Sequence, residues 1–356
     1  MQVVQIVKRY GQVGGMEEYV FQLSSELSKL GYKLLVLCEK SFITNSSAVQ
    51  VVELGKSSRC RWISHYKFSQ KVSKWLAENP SKMRIVHSHE RQCCHHVTTF
   101  HTTPFGNGRG RFFRFLSLRN YFYEELERRE LMGRQVMAIV PVSNKLGDMI
   151  SSKHIAVKKN LLDAIHPGVA APIINPKVRN VPEDGGTIGF VGKEWERKGL
   201  PKVVQIWRDL KKFKPNLKLK VAGPLSEEVN HLFSSNEKNY ELLGYVDDKP
   251  KYFESIDVLV HPAKLEAFGM VITEALSFGV PVLCSSECGA AEVIKEHAGQ
   301  VLPEKSTLTE WVNSTNSILV NKNYFTYSRS WLSCAKDYEK IYLKLTSSCK
   351  NHQKTP

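Results

Sequence analysis

Short apolar runs rich in Val, Ile and Leu alternate along this chain with longer stretches whose apolar residues recur every three to four positions. That alternation is the pattern of β–α units wound around a parallel sheet. In the first half, strands are predicted at Val3–Lys8, Lys33–Cys38, Gln50–Leu54, Arg84–His87, Val97–His101 and Val136–Val142. Between the first two lies Gly15–Leu30, where Val20, Leu23, Leu27 and Leu30 share one helical face and Gly31 ends the helix. Pro167, Pro172, Pro176 and Pro182 then punctuate a segment that reads as an interdomain linker. The alternation restarts with strands at Thr187–Val191, Leu217–Ala222, Tyr240–Leu243, Asp257–His261 and Val280–Cys284. Helices are predicted at Pro201–Phe213 and Gly269–Phe278, and an amphipathic helix, Trp331–Leu345, carries Trp331, Tyr338, Ile341 and Tyr342. The architecture expected is two doubly wound α/β domains facing a central cleft.

At 356 residues the chain is about twice a typical domain, which agrees with two. A hydrophobic share of 42% against 24% charged excludes a mostly disordered chain and a small disulfide-stapled one. No apolar run approaches the ~18–20 residues of a membrane-spanning helix. Met1–Val7 has no basic flank or cleavage site, so export is not expected. Eight cysteines, with Cys93 and Cys94 adjacent, read as reduced thiols of a cytoplasmic protein. The charge changes the picture more. Lys and Arg exceed Asp and Glu by 50 to 35, and residues 1–170 hold 25 basic against 13 acidic side chains. Such a balance speaks of an anionic partner: nucleic acid, a membrane surface or a phosphorylated substrate.

Three stretches carry candidate chemistry. After the first strand, Gly11-Gln12-Val13-Gly14-Gly15-Met16 opens a helix, where glycines admit a ligand and the helix start favours an anion. It lacks the G-x-G-x-x-G spacing of nicotinamide enzymes, and a bare strand–Gly–helix turn is equally a structural feature. In the second half, Gly192-Lys193-Glu194-Trp195-Glu196-Arg197-Lys198-Gly199 follows a strand and precedes a helix. Three cations in six residues at a strand's carboxyl end suit a diphosphate; the plain alternative is an exposed, solvated loop. The most specific stretch is His261-Pro262-Ala263-Lys264-Leu265-Glu266-Ala267-Phe268-Gly269-Met270-Val271-Ile272-Thr273-Glu274. Helix-start amides near Gly269 suit phosphate or sugar oxygens, Glu274 one turn in suits ribose hydroxyls, and Glu266 reaches the group beyond the phosphates.

Glu266 and Glu274, separated by seven residues that include Gly269-Met270-Val271, resemble the signature of retaining glycosyltransferases of family 4. The resemblance implies the GT-B fold: two Rossmann-like domains, residues 1–170 on the acceptor side and 171–324 binding the nucleotide sugar, with helix 325–356 returning to the first. It implies that Gly14 and Gly15 approach the donor phosphates and that His101, in Phe100-His101-Thr102, contacts the donor sugar. Lys193 and Lys198 then hold the diphosphate, with Arg197 adding charge, and Val246 in Gly244-Tyr245-Val246 meets the base. Ala267, Phe268, Gly269, Met270, Val271 and Glu274 complete the donor site, and Glu266, His101 and Lys198 are the residues assigned to catalysis. Within the family, His261-Pro262-Ala263, Glu266-Ala267 and Cys288-Gly289 resemble bacterial lipopolysaccharide-core glucosyltransferases, from which Phe268 departs in replacing a small residue.

Other signals are set aside. His87, His89, Cys93, Cys94, His95, His96 and His101 crowd together but fit no standard zinc spacing, and no D-x-D triplet occurs, so no metal and no cofactor are expected. Arg109–Phe122 interleaves Arg and Phe, which suits either an anionic membrane surface or a packed helix. The expected function is transfer of a hexose, from a UDP-sugar by preference, to a saccharide or lipid-linked saccharide acceptor in the lipopolysaccharide core. The inner face of the cytoplasmic membrane is then a place of peripheral attachment. Alternatives are a nucleotide-sugar epimerase on the same fold and a basic nucleic-acid binder; the latter leaves the Glu266/Glu274 pair unexplained, so no nucleic-acid partner is expected.

Overall fold

The computed structural model describes residues 1–43, 48–81, 83–106, 118–170, 180–295, 297–320 and 327–352. The chain forms two compact units, Met1–Gly168 with Arg329–Pro356, and Val169–Ser328.

The first unit is built on six parallel strands: β1 (Gln2–Ile6), β2 (Lys33–Cys38), β3 (Val49–Glu53), β4 (Arg84–Ser88), β5 (Val97–Phe100) and β6 (Ala138–Pro141). Their order across the sheet is β3-β2-β1-β4-β5-β6. Val4 of β1 sits between Leu35 and Val86. The central strands are buried on both faces, which is why they read as near-continuous apolar runs. Val4, Ile6, Leu35, Leu37, Phe68, Val72 and Val86 form one core, with Phe68 and Val72 supplied by a helix, Arg61–Glu78, that the sequence pattern did not single out.

The second unit repeats the plan with β7 (Thr187–Val191), β8 (Lys218–Ala222), β9 (Tyr240–Gly244), β10 (Val258–His261), β11 (Val282–Ser285) and β12 (Gly299–Leu302), all parallel. The order is β9-β8-β7-β10-β11-β12, so the central strand again has its successor on one side and a later strand on the other. Trp207 is fully buried against this sheet and donates its indole N–H to Leu217 O at 3.1 Å. Truncating such a side chain to Ala costs ~3–5 kcal/mol. β12 was not predicted: Gly-Gln-Val-Leu is short, and its half-exposed edge position needs no apolar run.

Helix Trp331–His352 belongs to the first unit and packs on helix Gly15–Lys29. Where the chain leaves and rejoins this unit, Gly168 lies so close that an added Cβ would sit 2.3 Å from Trp331 N. Among the described residues no helix is long and apolar enough to cross a membrane. Of the Arg- and Phe-rich stretch, Arg109, Arg111, Phe112, Phe113, Arg114 and Phe115 lie outside the described residues; the part that follows is helix Leu118–Met132.

Candidate functional site

In an open doubly wound sheet, ligands bind beyond the carboxyl ends of the strands where the order reverses. In the second unit that point lies between β7 and β10, and the loops leaving these strands carry Gly192–Gly199 and Pro262–Gly269.

The first loop is not the wholly exposed, solvated one of the plain alternative: Arg197 and Lys198 are half-buried and Gly192 and Gly199 are buried. Trp195–Lys198 forms a helical turn, and only 18% of the Lys198 side chain is accessible because its methylenes lie against Gly192, where an added Cβ would sit 2.2 Å from Cδ. Gly199 closes the turn at φ +86° and starts helix Leu200–Lys211. A side chain there would be strained by that backbone and would meet Pro262 O at 2.5 Å, so glycine lets the two loops touch. Lys193 stands exposed at the start of the loop.

The contact between the loops is ionic. Arg197 Nη1 donates to Glu266 Oε2 at 2.9 Å and also to Leu265 O, while Nε donates to Glu194 Oε2 at 2.7 Å. Burial opposes the charge on Arg197, but Glu266 and Glu194 outweigh it and hold the guanidinium above its ordinary pKa. Lys198 Nζ stands 3.8 Å from Glu266 Oε2, an ion-pair distance that leaves its hydrogens for other acceptors. Arg197 is thus spent on Glu194, Leu265 O and Glu266, which leaves Lys198 and exposed Lys193 as the more available cations of the loop. Behind them His261, the last residue of β10, is fully buried with neither ring nitrogen hydrogen-bonded. Burial, then Lys198 and Arg197, keep it neutral far below its usual pKa.

Past Glu266, whose backbone pairs with Glu287 and Gly289, Ala267 is half-buried and Phe268 is buried, its carbonyl accepting from Ala290 N–H at 2.7 Å. Gly269, at φ +95°, starts helix Met270–Ser277. The amides of Met270 and Val271 belong to the first turn and have no partner within the helix, the arrangement that accepts anionic oxygens. Glu274 is the one charged residue of this otherwise largely buried helix, and it pairs with Lys249 at 2.7 Å. Lys249 begins the helix Lys249–Glu254, three residues beyond half-buried Val246. The sequence gives no signal for Lys249, since a surface lysine at a helix start is commonplace.

In the first unit the corresponding reversal lies between β1 and β4. Gly14 precedes, and Gly15 opens, helix Gly15–Lys29, with free space beside Gly15. Arg9 Nε donates to Glu17 Oε1 at 2.8 Å in that helix's first turn, adding a cation that the motif reading passed over. His101 follows β5, half-buried, with Nε2 2.9 Å from His89 Nδ1. The histidines are taken up by hydrogen bonds: His87 with Tyr342 and Thr99, His95 with Glu130 O, and His89 with Gln5. Gln5 and His89 were missed as site residues. Their signals were a polar side chain in the middle of an apolar strand and a His-x-His alternation at a strand end.

Residues 13–171 match the family model described as Glycosyltransferase Family 4, and residues 173–329 match the one described as Glycosyl transferases group 1. The chain belongs to glycosyltransferase family 4. This is a family of retaining enzymes, and the family 4 fold seen here is GT-B. The capsular polysaccharide biosynthesis glycosyltransferase CapM of Staphylococcus aureus is 26% identical over 172 residues, 44% of this chain. That match spans 45% of the relative's own length, less than half. Among solved structures, WaaG, a glycosyltransferase involved in lipopolysaccharide biosynthesis, superposes with a TM-score of 0.79 at 18% identity and 95% coverage of both chains. HepE of Anabaena, solved in complex with UDP-glucose, superposes with a TM-score of 0.64 at 14% identity, covering 99% of this family 4 chain and 100% of its own.

Proposed function

We propose that this chain transfers a hexose from a nucleotide diphosphate sugar, a UDP-sugar by preference, to a saccharide acceptor with retention at the anomeric carbon. The observation that carries this reading is the cluster at the β7/β10 reversal: Lys198 beside the Arg197–Glu266 pair, with Lys193 exposed earlier in the same loop, and the first-turn amides of helix Met270–Ser277. Charge builds on the departing diphosphate in the transition state, and fixed cations and amides stabilise it there most. Lys198, Lys193 and the amides at Gly269–Val271 take that role, Glu274 holds the ribose, and Glu266 and His101 orient sugar hydroxyls. The likeness to WaaG supports a lipopolysaccharide-core acceptor, and the basic excess of residues 1–170 supports docking at an anionic membrane surface.

The test is turnover with UDP-, GDP- and ADP-hexoses and a panel of core oligosaccharides, with the product's anomeric configuration read by NMR. Retained configuration with UDP-hexose and a core acceptor is the expected result. Turnover of the donor without any saccharide acceptor overturns the reading.

A further inference from the structure

Gln5 is fully buried in β1, a polar side chain between Val4 and Ile6. Its Oε1 lies 2.6 Å from His89 Nε2, and His89 Nδ1 lies 2.9 Å from His101 Nε2. A carboxamide oxygen only accepts, so the proton in the first bond sits on His89 Nε2. A neutral imidazole carries one proton, which leaves His89 Nδ1 bare and able only to accept. The second bond is then donated by His101 Nε2–H, and the remaining ring nitrogen of His101, Nδ1, is left with a lone pair.

Both rings meet the condition of neutrality. Burial, reinforced by His87 and His101, holds His89 well below its usual pKa, and burial pushes His101 down to about 3. Their neighbours keep them so. His87 lies against His89 with centroids 4.3 Å apart and planes tilted by 35°, and Tyr19 meets His101 edge-on at 4.8 Å. The hydrogen bonds and ion pairs of the described residues give neither ring a carboxylate partner.

We propose that Gln5 and His89 are positioning residues that lock His101 as its Nε2–H tautomer, so that Nδ1 serves as a hydrogen-bond acceptor for a substrate hydroxyl. The assignment rests on the reading above only in taking His101 to meet the substrate. The relay sets the polarity of that contact: a hydroxyl that donates is held, and a group that only accepts is not. A lone histidine at this position would exchange between tautomers and offer the wrong face part of the time.

The experiment has two arms. Imidazole nitrogen shifts of the substrate-free protein, assigned through the loss of signals in His101→Ala, report the tautomer directly. The expected result is protonated Nε2 and bare Nδ1 at His101; protonated Nδ1 overturns the proposal. In kinetics, His89→Asn keeps an acceptor oxygen near the place of Nδ1, whereas His89→Phe fills the space without one. His89→Phe should lower kcat about tenfold, the worth of one net hydrogen bond, and leave nucleoside diphosphate affinity within about twofold. His89→Asn should recover most of that loss. Equal losses in the two variants overturn the relay and leave His89 a packing residue. Should no nucleotide sugar be turned over by the wild type, the proposed activity fails, while the tautomer arm still decides whether Gln5 and His89 set His101.

Discussion

Arg197 Nη1 sits 2.9 Å from Glu266 Oε2, so a carboxylate in the middle of one loop is held by the guanidinium of another. Glu266 neutralises charge on Arg197 and Lys198 that a diphosphate would otherwise draw on. Glu266→Gln should therefore leave nucleoside diphosphate affinity unchanged or tighter, while turnover falls because the sugar loses its orienting carboxylate. Calorimetry with the free diphosphate, beside steady-state kinetics, checks both halves; weakened diphosphate binding would remove Glu266 from this role.

Lys198 is the cation with hydrogens to spare. Lys198→Ala is expected to lower kcat/KM at least ~10²-fold, since a charge-assisted contact to the leaving group strengthens in the transition state. Its methylenes pack on Gly192, so a modest loss of stability should accompany the kinetic one. Near-normal kinetics would place the leaving group elsewhere.

Glu274 and Lys249 form a pair at 2.7 Å in which Lys249 is half exposed. Such a pair contributes little to folding. Glu274→Gln should nevertheless weaken nucleotide binding about tenfold or more, even for a nucleotide lacking its sugar, and Lys249→Ala should do far less. Equal effects in a titration with free nucleotide would assign the binding to the pair rather than to the carboxylate.

Gly199 is the backbone hinge pin between the two loops. Gly199→Ala combines a left-handed backbone with a 2.5 Å approach to Pro262 O, and should destabilise the protein by ~2 kcal/mol or more. Denaturant unfolding measures it, and a midpoint equal to wild type would falsify the tight loop contact.

Stability should pass through a maximum near neutral pH. Burial depresses His95 to about 4 and His101 to about 3, and holds His87 and His89 well below 6.5. The unfolded chain then binds more protons below 6.5, and stability falls as pH drops through that window. Burial raises Glu90 to about 7 and Glu130 to about 8, so the folded chain keeps protons that the unfolded one releases above 4.5, and stability falls as pH rises through those values. The histidines outnumber the carboxyls, which makes the acid side the steeper. Thermal midpoints between pH 5 and 9 should peak at roughly 6.5; a monotonic rise across that range contradicts the buried neutral histidines.

The two parallel sheets were readable because strands buried on both faces leave apolar runs, as in Leu34–Cys38 and Val258–Val260. Elements that bury little were not: β12 lies at an edge, and helix Arg61–Glu78 interleaves Ser, Lys and Gln among its core contacts. At the site, Glu266, Glu274 and the glycine before Met270 stood out by spacing. What spacing could not reveal was pairing. That Arg197 turns to Glu266, Lys249 to Glu274 and Gln5 to His89 depends on which loops the sheet order brings together, and residues up to 84 positions apart meet there.

The close approach of Gly168 to Trp331 makes the second unit an insertion, entered and left at one spot of the first. During synthesis, the whole of Val169–Ser328 emerges before the helix that completes the first unit. At ordinary elongation rates that interval is roughly 10–30 s. Through it Thr99 lacks the Tyr338 hydroxyl, His87 lacks that of Tyr342, and Tyr19 lacks both Tyr338 and the Cys334 thiol. The nascent first sheet therefore waits with its central polar groups open to water, a stage at which a holding chaperone would find its target, while the inserted unit is free to close around its own core.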